Sequence, residues 1–401
     1  MNLQHLSEKF HNNPRLFQLA DRLSFSKPQR IHLKNLQGSS SQFVVSSVFN
    51  HPATTALNHL IILNDAEDAA YFHNTLESLT NALDLFYFPS SFKNRKNFKL
   101  LNTSHVMLRA EALMKLSGGG NKKLIVTYPE ALFEKVVLPK TLSGNIIQLK
   151  VNDTINLDGL MELFVMYGFE RTDFVYEPGQ FALRGGILDI YSFGNEKPYR
   201  VELFGNDVDS IRIFDPETQL SERKLSQVSI IPNVDTQFAT GDKVSLLEFL
   251  PENTVVWIED WQFARERIEI QEADLELFLH LQQQGDKKQE EVEDEETKIL
   301  KDARPEDFAP ASLIELQLAN RHIITFGRSS FMESLNKKGA VSLDFEEGRN
   351  EAVSLPSGEG HGDVKGGKKP FHNAPVTGEG RDEIILFNTK EQPSFNRQFD
   401  L

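Results

Sequence analysis

The stretch that decides the fold runs Tyr176-Glu177-Pro178-Gly179-Gln180-Phe181-Ala182-Leu183-Arg184-Gly185-Gly186-Ile187-Leu188-Asp189-Ile190-Tyr191. It continues through Pro198-Tyr199-Arg200-Val201-Glu202-Leu203-Phe204-Gly205 and Asp209-Ser210-Ile211-Arg212-Ile213-Phe214-Asp215 to Gln219. Short runs rich in branched and aromatic residues over 187–193, 198–204 and 208–214 read as strands. Gly194-Asn195 and Gly205-Asn206 lie between them and Asp215-Pro216 follows, and each pair is turn chemistry. The reading is a small antiparallel module over 151–233. Gly185-Gly186 interrupts a strand, which predicts a bulge or a close backbone approach. On the second strand Arg200, Glu202 and Phe204 point one way and Val201 and Leu203 the other. One face is therefore core, and the other presents charge and an aromatic ring. As a solvated pair, Arg200 and Glu202 contribute under about 1 kcal/mol; a binding surface fits them equally well.

Outward from this module the texture is α/β. Asn13 caps a helix that begins at Pro14 and buries Leu16, Leu19, Ala20 and Leu23. Apolar runs at 59–64, 83–88 and 123–128 read as buried strands, and helical periodicity follows at 69–83 and 106–116. Strands alternating with helices predict a parallel sheet over 1–150. After 233 a strand at 254–258 and a long helix from about 260 to 284 begin a second α/β lobe, assigned to 234–348, with strands at 322–326 and 340–345. Residues 287–296 hold two lysines and six carboxylates, a solvated helix end or linker. The Gly- and Pro-rich stretch 349–381 reads as a flexible linker, and 382–401 as the start of a further segment, ending as a cut chain would.

The 401 residues carry 58 acidic against 43 basic side chains, a formal charge of −15, which argues against bulk nucleic-acid binding. There is no cysteine, so thiolate metal sites and cysteine nucleophiles are excluded. No apolar run is long enough for a membrane span, and the first ten residues lack a secretory pattern. A cytoplasmic location is expected. The eleven histidines are scattered, and His361 and His372 have no ligand spacing.

A phosphate loop would fall between the first strand and its helix. The two glycines it requires align with Asn35 and Ser40, the lysine with Ser41 and the magnesium hydroxyl with Gln42. Gly38, Ser39, Ser40, Ser41 and Gln42 therefore make a degenerate loop, expected to bind no cofactor. Lys93, Arg95, Lys96 and Lys99 form a basic run beside Phe92 and Phe98, a solvated loop with possible phosphate contacts. No catalytic or metal residue is assigned.

The module resembles the UvrB-homology region of bacterial transcription-repair coupling factors over about sixty residues, with the glycines, Arg184, Asp189, Arg200, Asp215 and Gln219 in register. Tyr167-Gly168-Phe169-Glu170-Arg171 and Thr127-Tyr128-Pro129-Glu130-Ala131-Leu132 extend the likeness across most of residues 1–260. The resemblance implies a UvrB-like α/β domain with an inserted module like the second domain of UvrB. It also implies docking of the repair protein UvrA through arginines, here Arg171, Arg184 and Arg200. In such families RNA polymerase, DNA, ATP and magnesium are engaged by other segments, and none of the helicase motifs is recognisable here. A UvrB-type ATPase and DNA helicase is the alternative, disfavoured by the absent lysine and by the segment of about seventeen residues after Phe88, which lacks the tyrosines of a strand-separating hairpin. A free-standing UvrA-binding regulator is a third reading.

Overall fold

The computed structural model describes residues 3–283, 302–335, 382–387 and 389, apart from residues 26, 81–83, 119, 121, 237 and 239. The acidic run at 287–296, the strand expected at 340–345, and the linker at 349–381 with its two histidines all lie outside the described residues.

Two helices, α1 (Leu3–His11) and α2 (Pro14–Leu23), lead into β1 (Arg30–Lys34) and α3 (Ser40–Asn50). Asn13 caps α2, its side chain accepting from the Arg15 N–H. There follow β2 (Asn58–Ile62), α4 (Ala66–Thr80), β3 (Leu85–Tyr87), β4 (Phe92–Asn94), β5 (Asn97–Leu101) and α5 (Thr103–Ser117). Next come β6 (Leu124–Thr127), α6 (Pro129–Phe133), β7 (Val136–Val137), α7 (Pro139–Gly144) and β8 (Ile147–Lys150). The module holds α8 (Leu157–Met166), β9 (Glu170–Arg171), β10 (Gln180–Arg184), β11 (Ile187–Ile190), β12 (Tyr199–Phe204), β13 (Asp207–Phe214), β14 (Ser221–Leu225) and β15 (Gln227–Ile230). The chain returns through β16 (Lys243–Val244), α9 (Leu246–Phe249), β17 (Thr254–Ile258), α10 (Trp261–Gln283), α11 (Ala311–Leu318), β18 (Ile323–Thr325) and β19 (Glu383–Leu386).

The large sheet is parallel, in the order β19-β1-β18-β17-β2-β6-β3. Its central strands β2, β6 and β17 are buried along their whole length, which is why they read as continuous apolar runs. The α/β class is as expected. The strands assigned to a second lobe over 234–348 instead enter this sheet: β17 pairs with β2, and β18 sits between β1 and β17. The described start of the segment expected at 382–401 joins it too, β19 adding beside β1. A parallel strand pairs with elements far away in sequence, so strand signals alone do not reveal the sharing.

The module leaves and rejoins the body through one antiparallel pair, β8 with β15. Beyond it lies a six-stranded sheet in the order β14-β13-β12-β11-β10-β9, antiparallel except for the parallel pair β9–β10. Phe181, Leu188, Ile190, Val201 and Ile211 line its inner face. Phe164 of α8 packs on Phe181 from that side, ring centroids 5.4 Å apart. Of the two expectations for Gly185-Gly186, the close backbone approach holds and the bulge does not: the pair is the two-residue turn of the β10–β11 hairpin, since Arg184 pairs with Ile187, and the Leu203 N–H donates to the Gly186 carbonyl at 2.7 Å. Gly185 there has φ +59°, and a Cβ on Gly186 would lie 2.7 Å from the Leu203 carbonyl oxygen.

Arg109 of α5 joins body and module. It is fully buried, donating from Nη1 to the Pro89 carbonyl (2.9 Å) and from Nε to Asp235 (3.3 Å), just past β15. Its Nη2 lies 3.6 Å from buried Glu134, and its guanidinium covers the Phe88 ring at 4.5 Å. Ser90 and Ser91 donate to Glu134 in turn. Burial works against the Arg109 charge, and Glu134 and Asp235 outweigh it, so its pKa is raised. Arg109→Met strands two buried carboxylates, and urea unfolding should show a loss of about 3–5 kcal/mol. A loss within about 0.5 kcal/mol, the range of surface changes, would show that the cluster does not hold the chain together.

Candidate protein-docking surface

The outer face of the module sheet is organised by one buried carboxylate. Asp189 lies on β11 directly opposite Arg200 of β12, and its side chain is 0% exposed. Arg200 grips it with two bonds, Nε to Oδ1 at 2.7 Å and Nη2 to Oδ2 at 2.9 Å. The third donor, Nη1, reaches the Gln219 carbonyl at 3.0 Å. Asp189 hydrogen bonds raise the Arg200 pKa further above its ordinary value. Arg184, across the β10–β11 hairpin, donates from Nη2 to the same carboxylate at 2.5 Å and from Nη1 to the Asp173 carbonyl at 2.9 Å.

These bonds order the segment 172–178. Gln219 sits at φ +61°, and its amide donates to the Val175 and Pro216 carbonyls. Asp215 holds the turn before it, accepting from Glu217 N–H and from Thr218 N–H and hydroxyl, and the Thr218 bonds hold its pKa below the ordinary value. Gln180 accepts from the Tyr176 and Glu177 N–H groups. Arg184 stacks over Phe174 at 4.4 Å. Phe174 and Tyr176 stand half-exposed, and exposed Arg171 lies on the neighbouring edge strand β9. Arg171 makes no hydrogen bond or ion pair to the described residues.

The three arginines named from sequence thus differ. Arg184 and Arg200 converge on a carboxylate of their own chain, Arg200 with all its donor groups engaged, whereas Arg171 projects free. Glu202 and Arg212 pair at 3.0 Å beside them, with Ser210 donating to the same carboxylate at 2.6 Å. Sequence reasoning missed the roles of Asp189, Phe174 and Tyr176. The signal for Asp189 was a lone carboxylate inside an apolar strand, which burial forces to find cationic partners.

The degenerate phosphate loop is where the sequence puts it, between β1 and α3. Asn35 and Gly38 have φ of +61° and +56°. The Gln37 N–H donates to the Thr389 hydroxyl at 3.0 Å, and that hydroxyl donates to the Asn35 carbonyl. Ser40 donates to the Gln37 carbonyl at 2.7 Å and Ser41 to buried Gln42 at 3.0 Å, so these side chains serve the turn itself. The basic run forms the β4–β5 hairpin, not a loop. Lys93 and Lys96 are exposed, Lys99 is half-buried on β5, and Arg95 pairs at 3.3 Å with Glu130.

At the carboxyl ends of β2, β17 and β18, Glu259 is held well above the ordinary carboxylate range. Burial first, then Asp68, Asp260 and Asp65, push it from 4.5 to about 7.

Residues 147–235 match the family model of the UvrB interaction domain, a span that includes β8, the module sheet, β15 and Asp235. The chain is 28% identical over 217 residues to the transcription-repair-coupling factor of Bacillus subtilis, covering 54% of this chain and 18% of that protein. It is 31% identical over 136 residues to that of Haemophilus influenzae (34% and 12%), and 26% over 203 residues to that of Borreliella burgdorferi (50% and 17%). The chain thus carries a module of the UvrB-interaction type. Over up to about half its length it is similar to transcription-repair-coupling factors, and the matches span less than a fifth of those relatives' own length. Among the described residues no helix is long and apolar enough to cross a membrane.

Two outcomes follow from this geometry. Arg200→Ala leaves Asp189 buried with half its counter-charge, so it should cost about 3–5 kcal/mol in denaturant unfolding; Arg171→Ala should leave the melting temperature unchanged. Equal effects would mean that the two arginines are not divided in this way. Glu259 titrates with the opposite sign from a salt-bridged acid. Its folded pKa is raised, so its contribution is complete below 4.5 and is lost as pH rises to about 7. Glu259→Gln should remove that decline from a profile of melting temperature against pH, and an unchanged profile would assign the titration to another group.

Proposed function

We propose that this chain recruits a UvrA-type repair protein through its β module, as the UvrB-like part of a transcription-repair coupling machinery. The observation that carries the reading is the coincidence of the UvrB interaction domain match, residues 147–235, with a structurally bounded module whose edge displays arginine and aromatic side chains. In this reading Arg171 and Arg184 meet acidic groups of the partner, and Phe174 and Tyr176 supply rigid apolar area, the residue types that dominate interface energetics. Arg200 acts one step back, holding Asp189 and so the surface. Guanidinium forks suit this work because they pair bidentately with carboxylates and tolerate partial desolvation. RNA polymerase and DNA are engaged elsewhere in the assembly, the role here is docking rather than catalysis, and the compartment is the cytoplasm.

Calorimetric titration of the full chain with UvrA tests the reading. Arg171→Glu and Arg184→Glu should each weaken binding at least about tenfold by setting like charges together. Arg171→Glu should do so with melting unchanged. Wild-type affinity in both variants would remove this edge from the interface.

A further inference from the structure

Helix α10 carries a second surface, remote in sequence from the module. Phe263, Ile270, Leu277 and Leu281 recur at heptad-related spacing on one face, and Ile270 and Leu277 are 56% and 57% exposed. The opposite face, with Trp261, Ala264, Ile268 and Leu275, is buried in the body. The exposed strip is about 27 Å long. Glu266 and Asp274 border it, and Glu269 and Glu276 form the next row. The arginine within it, Arg267, is engaged by Glu130 at 2.5 Å with its guanidinium 5.9 Å from the Phe263 ring, and Arg265 pairs with Glu269 and Glu315, which leaves Glu266, Asp274 and Glu276 without an arginine partner among the described residues.

A cavity of about 360 Å³ opens at the head of this strip, lined by Asn64, Glu259, Asp260, Phe263, Gly327 and Arg328. Its floor is tight: a Cβ on Gly327 would lie 2.0 Å from the Glu259 carbonyl oxygen. Two buried acceptor atoms there, Glu259 Oε2 and Asn64 Oδ1, have no hydrogen-bond partner among the described residues. Unpartnered buried acceptors call for a donor. Among the described residues no cluster has the three carboxylate or histidine ligands a metal ion takes. Arg328 is the one cation in the lining, against Glu259 and Asp260 with Asp65 and Asp68 nearby, so the balance of charge disfavours phosphate. A guanidinium or ammonium group supplies the missing donors.

We propose that this acidic, apolar face of α10 receives a basic amphipathic helix of a partner protein, with one arginine or lysine of that helix seated in the cavity. Apolar anchors at i and i+7 on the strip match a helix laid in a groove, and the acidic border selects a cationic occupant. Seating the cation ionises Glu259. The charged groups facing that carboxyl are Asp65 and Asp68 before and within α4, Asp260 at the start of α10, and Arg328 beyond β18.

The test titrates the full chain with a fluorescent lysine–leucine amphipathic peptide of about twenty residues, against its glutamate–leucine counterpart. The basic peptide should bind saturably and the acidic one should not. Ile270→Ser and Leu277→Ser should each weaken binding about tenfold, whereas Leu316→Ser, an exposed apolar residue on α11, should not. Affinity should rise between about pH 6 and about pH 8, and Glu259→Gln should flatten that rise while binding persists. Unchanged binding in the Ile270 and Leu277 variants, binding of the acidic peptide, or no saturable binding at all would overturn the proposal. So would a pH rise that survives Glu259→Gln. Concentration-dependent sedimentation lost in Ile270→Ser would overturn it as well, by assigning the face to a second copy of this chain.

Discussion

Arg109 carries a charge where water does not reach, and the relation of body to module rests on it. A guanidinium in such a place needs its charge balanced, because the desolvation cost of an unpaired ion is several kcal/mol. The partners come from three parts of the chain: Pro89 beyond β3, Glu134 beyond α6, and Asp235 where the module rejoins the body. Removing either carboxylate leaves a buried charge incompletely matched. The cluster therefore selects one mutual placement of these passages, and it does so just beside the β8–β15 pair through which the module is attached. Hydrophobic packing alone is less selective, since apolar surfaces tolerate small sliding movements that directional bonds do not.

The same logic recurs at smaller scale in the module. Asp189 is a buried anion held by two cations, and the cations in turn hold carbonyls at Asp173 and Gln219. The segment between those anchors bears Phe174 and Tyr176. A surface built in this way is ordered before a partner arrives, so less side-chain and loop freedom is lost on association. The arginines thus divide the labour. One secures the carboxylate, one both secures it and remains partly exposed, and one is left free at the edge.

How much of this was legible in the sequence depends on the range of each interaction. The turn pairs at Gly194-Asn195 and Gly205-Asn206 and the alternation in 199–204 are local, and the hairpins lie where they place them. Asn13 and Pro14 are likewise a helix start in both sequence and structure. The sharing of one sheet by β1, β17, β18 and β19 was not legible, because parallel pairing leaves no mark on the strands beyond their apolarity. Arg171 and Arg200 could not be told apart for a related reason. Arg200 alternates with apolar neighbours and Arg171 sits between Glu170 and Thr172, but neither pattern names a partner; only the register that sets Asp189 against Arg200 makes one a structural ion and leaves the other unpaired. The β4–β5 hairpin resembles a loop in sequence because its central residues Arg95 and Lys96 are charged and its strands are short.

The carboxyl ends of the parallel strands complete the physical picture. In open α/β sheets this is the edge at which ligands bind, because loops diverge there and helix N-termini face the opening. In this chain the turn after β1 has its Gln37 N–H engaged by Thr389 from beside β19, and Ser40 and Ser41 bond within the turn. The cationic residue that would balance phosphate charge is missing, and the nearby strand ends carry Glu259 and Asp260 instead. At this edge Glu259 and Asp260 face one cation, Arg328, and the hydroxyls of Ser40 and Ser41 are bonded within the turn. The large sheet also works as a frame. It fixes the β8–β15 stalk and the buried face of α10, and the side chains able to recognise another protein stand on the elements that the frame holds out.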